Sequence, residues 1–138
     1  MARIFLLLLL GLIPVAGLAQ TFTTAAEIKP ILTATKPGWI AVREYNGEDV
    51  LYFTNALVWR CGLDAILYGL NGAPAETPYP MEPCYEGEPA PNIFKADSAQ
   101  PFYMTLPLGT VQTITVTVVF DDGSIETGEY LRAAIFTP

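Results

Sequence analysis

The chain has 138 residues, with seven Lys or Arg, fourteen Asp or Glu and no histidine, and its formal net charge is −7. An acidic surface repels nucleic-acid phosphates and anionic lipid headgroups and favours cationic partners, so nucleic acid is not an expected ligand. The absence of histidine removes the usual general base, the Ser-His and Cys-His nucleophile arrangements and the commonest transition-metal ligand.

Residues 1–19 read as a secretory signal peptide: Arg3 gives a positive start, Ile4 to Ile13 is an apolar run, and Gly17 and Ala19 are the small residues of a cleavage site. The competing reading is an uncleaved membrane anchor, against which the run falls short of the roughly 20 residues a spanning helix needs and Pro14 and Gly17 interrupt its end; no membrane span is expected after cleavage. Residues 20–138 remain as one domain of 119 residues. With Arg3 removed, six basic residues stand against fourteen acidic ones, for a net charge of −8. The expected location is periplasmic or secreted. Cys61 and Cys84 are the only cysteines, and an oxidising compartment predicts a disulfide between them. Closing that loop stabilises the fold by roughly 3 kcal/mol in the chain-entropy model.

Gln20 to Ala26 reads as a polar leader. Glu27 to Thr35 reads as a first strand, held to a sheet edge by Pro30. Trp39 to Tyr45 alternates and runs into Asn46-Gly47, the strongest short hairpin signal. Pairing across that turn sets Val42 opposite Leu51, Ile40 opposite Phe53, Arg43 opposite Val50 and Ala41 opposite Tyr52. Leu57 to Cys61 reads as a strand that buries Trp59 beside the disulfide. Cys61 to Leu70 reads as one strand with a bulge near Gly62-Leu63-Asp64, or as two short ones.

Residues 71–100, with Pro101 just beyond, carry seven of the twelve prolines and five acids, and they predict a long irregular excursion. Pro101 to Leu108 resumes as an edge strand. The clearest signal is Thr113 to Phe120, where Ile114, Val116, Val118 and Phe120 alternate with threonines and Val119. A two-residue turn at Asp122-Gly123 sets Phe120 opposite Ile125 and Val118 opposite Thr127. A slip by one residue puts Ile125 opposite Val119, on the other face. Gly128 reads as a bulge, and Leu131 to Phe136 as the closing strand.

Ile66-x-Tyr68-x-Leu70-Asn71-Gly72, followed by a Val/Thr strand ending in Asp121-Asp122-Gly123-Ser124, resembles immunoglobulin-like modules of secreted bacterial proteins. It is most similar to the accessory β-sandwich domains appended to carbohydrate-active enzymes, and the whole chain resembles small exported proteins of Gram-negative bacteria. The resemblance implies an immunoglobulin-like antiparallel β-sandwich of about seven strands with one long Pro-rich loop, and no catalytic residue.

Glu82, Glu86 and Glu88 are the nearest candidates for a hydrolytic carboxylate pair, but a loop without rigid support suits solvated acids better. Asp121-Asp122-Gly123-Ser124 fits a turn and lacks the alternating acids of a calcium loop. No metal or cofactor is expected. The aromatic residues of the excursion, Tyr79, Tyr85, Phe94, Phe102 and Tyr103, suit a recognition surface, or else a cap over one open end of the sandwich. The leading expectation is a non-catalytic binding module that recognises a protein or envelope component through residues 71–103, with Tyr79, Tyr85, Phe94 and Tyr103 as contacts. Alternatives are an inhibitor of a cationic secreted enzyme, a carboxylate-dependent hydrolase, and a structural envelope protein that assembles through its own edge strands.

Overall fold

The computed structural model describes residues 20–138, so the expected signal peptide lies outside the described residues. Helix α1 (Ala25–Thr35) comes first, then the hairpin β1 (Ala41–Tyr45) and β2 (Glu48–Tyr52), a helical turn α2 (Thr54–Leu57), and β3 (Leu63–Leu70). Strand β4 (Thr77–Pro78), β5 (Tyr103–Pro107), β6 (Thr113–Phe120) and β7 (Ile125–Leu131) follow, and a last helical turn, α3 (Arg132–Ile135), precedes the C-terminus. The strands form two antiparallel sheets, β1-β2-β5 and β4-β3-β6-β7. The core draws Leu51 and Phe53 from the first sheet region, Ile66, Ile114, Val116, Val118 and Phe120 from the second, and Ile28 and Leu32 from α1.

The first hairpin follows its sequence. Asn46 and Gly47 take positive φ (52° and 78°), and the register sets Val42 against Leu51, Arg43 against Val50 and Ala41 against Tyr52. The ladder stops there, so Ile40 and Phe53 lie just beyond it. The bulge at the start of β3 is present as a register shift between Leu63 and Ala65.

The second hairpin corrects the expected register: Ile125 faces Val119, and Thr117 faces Thr127. Phe120 N–H donates to Ser124 O (2.8 Å) and Gly123 N–H to Phe120 O (2.9 Å), so the loop has three residues, with Gly123 in the left-handed region (φ 80°). A type I turn followed by a left-handed glycine adds one residue to the shortest hairpin and shifts every pair by one. The shift leaves Ile125 exposed and brings Gly128 and Tyr130 to the core side. Gly128 is no bulge, because the ladder runs through it. A Cβ there would meet the Tyr130 ring at 2.7 Å, so the glycine makes room for that ring.

Three further segments expected as strands are helical. Over 25–35, Ala25, Ile28 and Leu32 recur at three and four residues and are buried on one face, a helical stripe. The Glu27 carboxylate accepts from the N–H groups of Thr23 (2.9 Å) and Thr24 (3.2 Å) and caps the first turn. Asp121 of the β6–β7 turn accepts from Ala25 N–H (2.8 Å). Pro30 is exposed, and so is Ala26, the residue whose carbonyl loses its helical partner. Residues 57–61 turn rather than extend: Ala56 and Leu57 N–H both donate to Phe53 O, and a 3₁₀ turn spans Arg60–Gly62. Trp59 is half-buried, with its ring edge-on to Phe22 at 5.2 Å. Gly62 lets α1 approach, since a Cβ there would lie 2.6 Å from Ile28 Cδ1. Beyond Leu131 the chain makes α3, and only Phe136 bridges to Val42 of β1.

Asp49 and Arg132 join the sheets. Asp49 is fully buried on β2, and its carboxylate accepts from Arg132 Nη1 (2.7 Å), Arg132 Nη2 (2.8 Å) and Val111 N–H (3.0 Å). Hydrogen bonding to the Arg132 guanidinium, opposed by burial and helped by Val111, brings the Asp49 carboxyl down to about 2 from 3.8. A carboxyl depressed in the folded state stabilises fully above its unfolded value of about 3.9, and that contribution disappears as pH falls through about 2. Urea denaturation should therefore show Asp49→Asn losing about 3 kcal/mol at neutral pH, with a flatter acid limb than the parent protein. Arg132→Met should cost more, because it leaves a fully buried carboxylate with one donor. Equal stability of either variant with the parent, or the same acid limb, would show that the pair does not hold the sheets.

Candidate functional site

The 71–103 segment has little regular structure beyond β4, and its backbone groups cannot be satisfied by a ladder. Arg60 meets that need. Its side chain is 2% exposed, and it donates from Nε to Glu82 O (2.8 Å), from Nη1 to Asn92 O (2.7 Å), and from Nη2 to Pro83 O (3.1 Å) and Ile93 O (2.7 Å). Cys61–Cys84 is bonded beside it, with the Cα atoms 4.9 Å apart. Asn92 completes the clamp: its Oδ1 accepts from Cys61 N–H (2.9 Å) and its Nδ2 donates to Phe22 O (2.9 Å).

Glu82 is the buried acid of this layer. Its Oε1 accepts from the Tyr85 hydroxyl (2.6 Å) and from Lys95 N–H (2.8 Å). Burial pushes the Glu82 carboxyl up, but those two hydrogen bonds and the Arg60 charge outweigh it and leave the group below its ordinary value. The same bond to Glu82, with burial, raises the Tyr85 hydroxyl to about 12. The Arg60 guanidinium lies 5.0 Å from the Phe94 ring centroid, and Lys95 Nζ lies 3.7 Å from that of Tyr85. Cations over ring faces fix both aromatics in place.

On this base a strip of rings reaches the surface. Phe94 meets Phe102 at 6.0 Å between centroids, Phe102 meets Tyr103 edge-on at 5.5 Å, and Tyr103 meets Tyr52 of β2 at 5.8 Å. An open groove of about 410 Å³ runs along it, lined by Phe94, Lys95, Pro101, Phe102 and Tyr103, with Glu82 at its floor. Phe102 and Tyr103 are both 41% exposed.

The four aromatic residues expected as contacts therefore divide. Phe94 and Tyr103 line the groove. Tyr85 is behind it, positioned by Glu82 and Lys95. Tyr79 is 4% exposed, stacks on Phe53 at 4.1 Å, and donates from its hydroxyl to Pro101 O (2.8 Å), so it supports the groove from inside the core. Tyr52 was not among the expected contacts, although the Asn46-Gly47 register already places it opposite Ala41, away from the apolar face. Arg60 was missed as well; its signal is a lone charge inside the apolar run Leu57–Cys61.

Of the candidate acids, Glu88 pairs with Lys95 (2.8 Å), Glu86 is exposed, and Glu82 is committed to the loop's own hydrogen bonds. Acids of the β6–β7 turn and of β7 serve α1 and its C-cap: Asp122 pairs with Lys29, and Glu126 accepts from Thr33 (2.8 Å) and pairs with Lys36 (3.3 Å). Glu48, Asp64, Glu76, Glu86, Asp97 and Glu129 are exposed and outside any ion pair among the described residues. Of these, Glu76, Glu86 and Asp97 belong to the 71–103 segment. No family model, curated protein or solved structure matches the chain.

Replacing Arg60 with Met removes the donors for four carbonyls, and charged hydrogen bonds of this kind contribute about 1.5–3 kcal/mol each when they cannot be replaced. Arg60→Met should lower stability by at least about 3 kcal/mol and speed amide exchange at Tyr85 and Lys95, read by hydrogen-exchange NMR. Slow exchange retained at both amides would mean the disulfide alone orders the segment.

Proposed function

We propose that the chain is an exported, non-catalytic binding module that takes a protein or envelope component with cationic groups into the groove of Phe94, Phe102 and Tyr103. The observation that carries this reading is the continuous strip of four rings, partly exposed and held from beneath by Arg60, Glu82 and the disulfide. Rigid aromatics lose little conformational freedom on binding, and their faces attract cations. The surface acids outside ion pairs favour the same class of partner by long-range attraction.

The disulfide suits an oxidising compartment, and no described helix is long and apolar enough to cross a membrane. An immunoglobulin-like relation is part of the proposal. The order β1-β2-β5 in one sheet and β4-β3-β6-β7 in the other corresponds to strands A-B-E and C′-C-F-G of that architecture. The disulfide departs from the antibody pattern, since it ties a loop to the start of β3 rather than one sheet to the other. The inhibitor reading needs the same surface and is one form of this proposal. The hydrolase reading draws no support from Glu82, whose carboxyl is held down where a general acid needs to be raised.

Pull-down from envelope extracts with the parent protein and with Phe102→Ala/Tyr103→Ala tests the groove. The double variant should lose the captured partner while its melting temperature stays close to the parent's, and binding of that partner should weaken as salt is added. Capture that survives in the double variant would remove the groove from the function. Tyr79→Ala should behave differently, lowering stability by about 3 kcal/mol or more because it empties a core site.

A further inference from the structure

Two sheets have four outer edges, and three of them are blunted among the described residues. β4 is two residues long and contains Pro78. β5 ends in Pro107, which removes an N–H from its open side. β1 is partly covered by the C-terminal residues, since Thr137 N–H donates to Val42 O (2.9 Å) beside the Phe136 bridge.

β7 has none of these protections. Phe120 N–H bonds Ser124 O and Arg132 N–H bonds Gln112 O, so the antiparallel alternation turns the groups of 126, 128 and 130 toward β6. The N–H and C=O of Ile125, Thr127 and Glu129 and the N–H of Leu131 point the other way, and none has a hydrogen-bond partner among the described residues. The Leu131 C=O, at the N-cap of α3, takes that helix's first bond. Ile125 and Leu131 are 64% and 66% exposed, the most exposed large apolar side chains among the described residues. Beside this edge an open, mostly apolar groove of about 550 Å³ runs between β7 and the end of α1, lined by Pro37, Gly128, Tyr130 and Ala134 among others.

The sequence of this edge is self-complementary about Gly128. If a second β7 runs antiparallel beside the first, with the two Gly128 residues facing each other, Ile125 lies opposite Leu131 of the other copy, and Thr127 opposite Glu129. Those four residues on each strand carry the outward backbone groups, all free except the Leu131 C=O. Both exposed apolar residues are then covered by each other, and the backbones approach most closely where there is no side chain. No lysine or proline in β7 opposes the pairing. We infer that the protein forms a two-fold symmetric dimer by joining β7 to β7, which makes one continuous eight-stranded sheet from two four-stranded ones. The surface is distinct from the aromatic groove, which it leaves open.

Sedimentation equilibrium and amide hydrogen exchange on the purified protein decide it. A monomer–dimer equilibrium is expected, with the amides of Ile125, Thr127, Glu129 and Leu131 slowing as concentration rises while those of Tyr103 and Thr105 on the β5 edge do not. Because each copy is acidic, added salt should tighten the dimer, the opposite of its effect on the groove's partner. Ile125→Lys/Leu131→Lys should weaken association at least about a hundredfold, with the melting temperature unchanged at dilutions where the parent is a monomer, since both side chains are exposed there. A monomer at every concentration, exchange at the four amides that ignores concentration, or a dimer that survives the double variant would each overturn the inference. The exchange measurement needs no variant, so a substitution that fails to fold leaves the test intact.

Discussion

A segment with this many prolines cannot enter a ladder, and its carbonyls still need donors where the segment is covered. Arg60 supplies them, and the candidate site depends on that single side chain. A guanidinium offers five N–H groups in a fixed plane, so one residue reaches carbonyls on both the outgoing and the returning stretch of the excursion. Lysine could not span the two stretches. Burying the charge costs desolvation, which pulls the Arg60 pKa down, and the nearby Glu82 carboxylate offsets part of that fall. The disulfide beside it restricts the unfolded chain, whereas Arg60 specifies the folded path.

The β-framework was legible because its signals are local. Alternation in Thr113–Phe120 and the Asn46-Gly47 turn each determine a face, and both strands form as read. The Asp122-Gly123 turn misled by one residue, because the choice between a two- and a three-residue loop rests on distant partners. Asp121 is held by the start of α1 and Asp122 by Lys29, contacts some 90 residues away in sequence that no turn statistic contains. With Glu126, which meets Thr33 and Lys36, the same contacts explain why three acids close together are a docking point for a helix.

The helical segments were hidden for a related reason. Pro30 argues against helix when the segment is read alone, and only the buried stripe of Ala25, Ile28 and Leu32 against the core overrides it. Residues 57–61 look apolar enough for a strand, but the chain must pass there from one sheet to the other within a few residues. At the site, aromatic content showed which segment matters, while burial divided its members. Tyr79 and Phe102 look alike in the sequence and ended on opposite sides of the surface.

One feature of the excursion bears on how such a chain can change over time. Cys84 is held on one side and Asn92 and Ile93 on the other, and Tyr85 N–H closes the span by donating to Pro91 O (3.0 Å). Residues 86–90 hang outside that closure, all of them exposed. Insertions or grafted peptides at this tip would disturb neither anchor, so the scaffold can acquire a new appendage while the rest of the molecule is inherited unchanged.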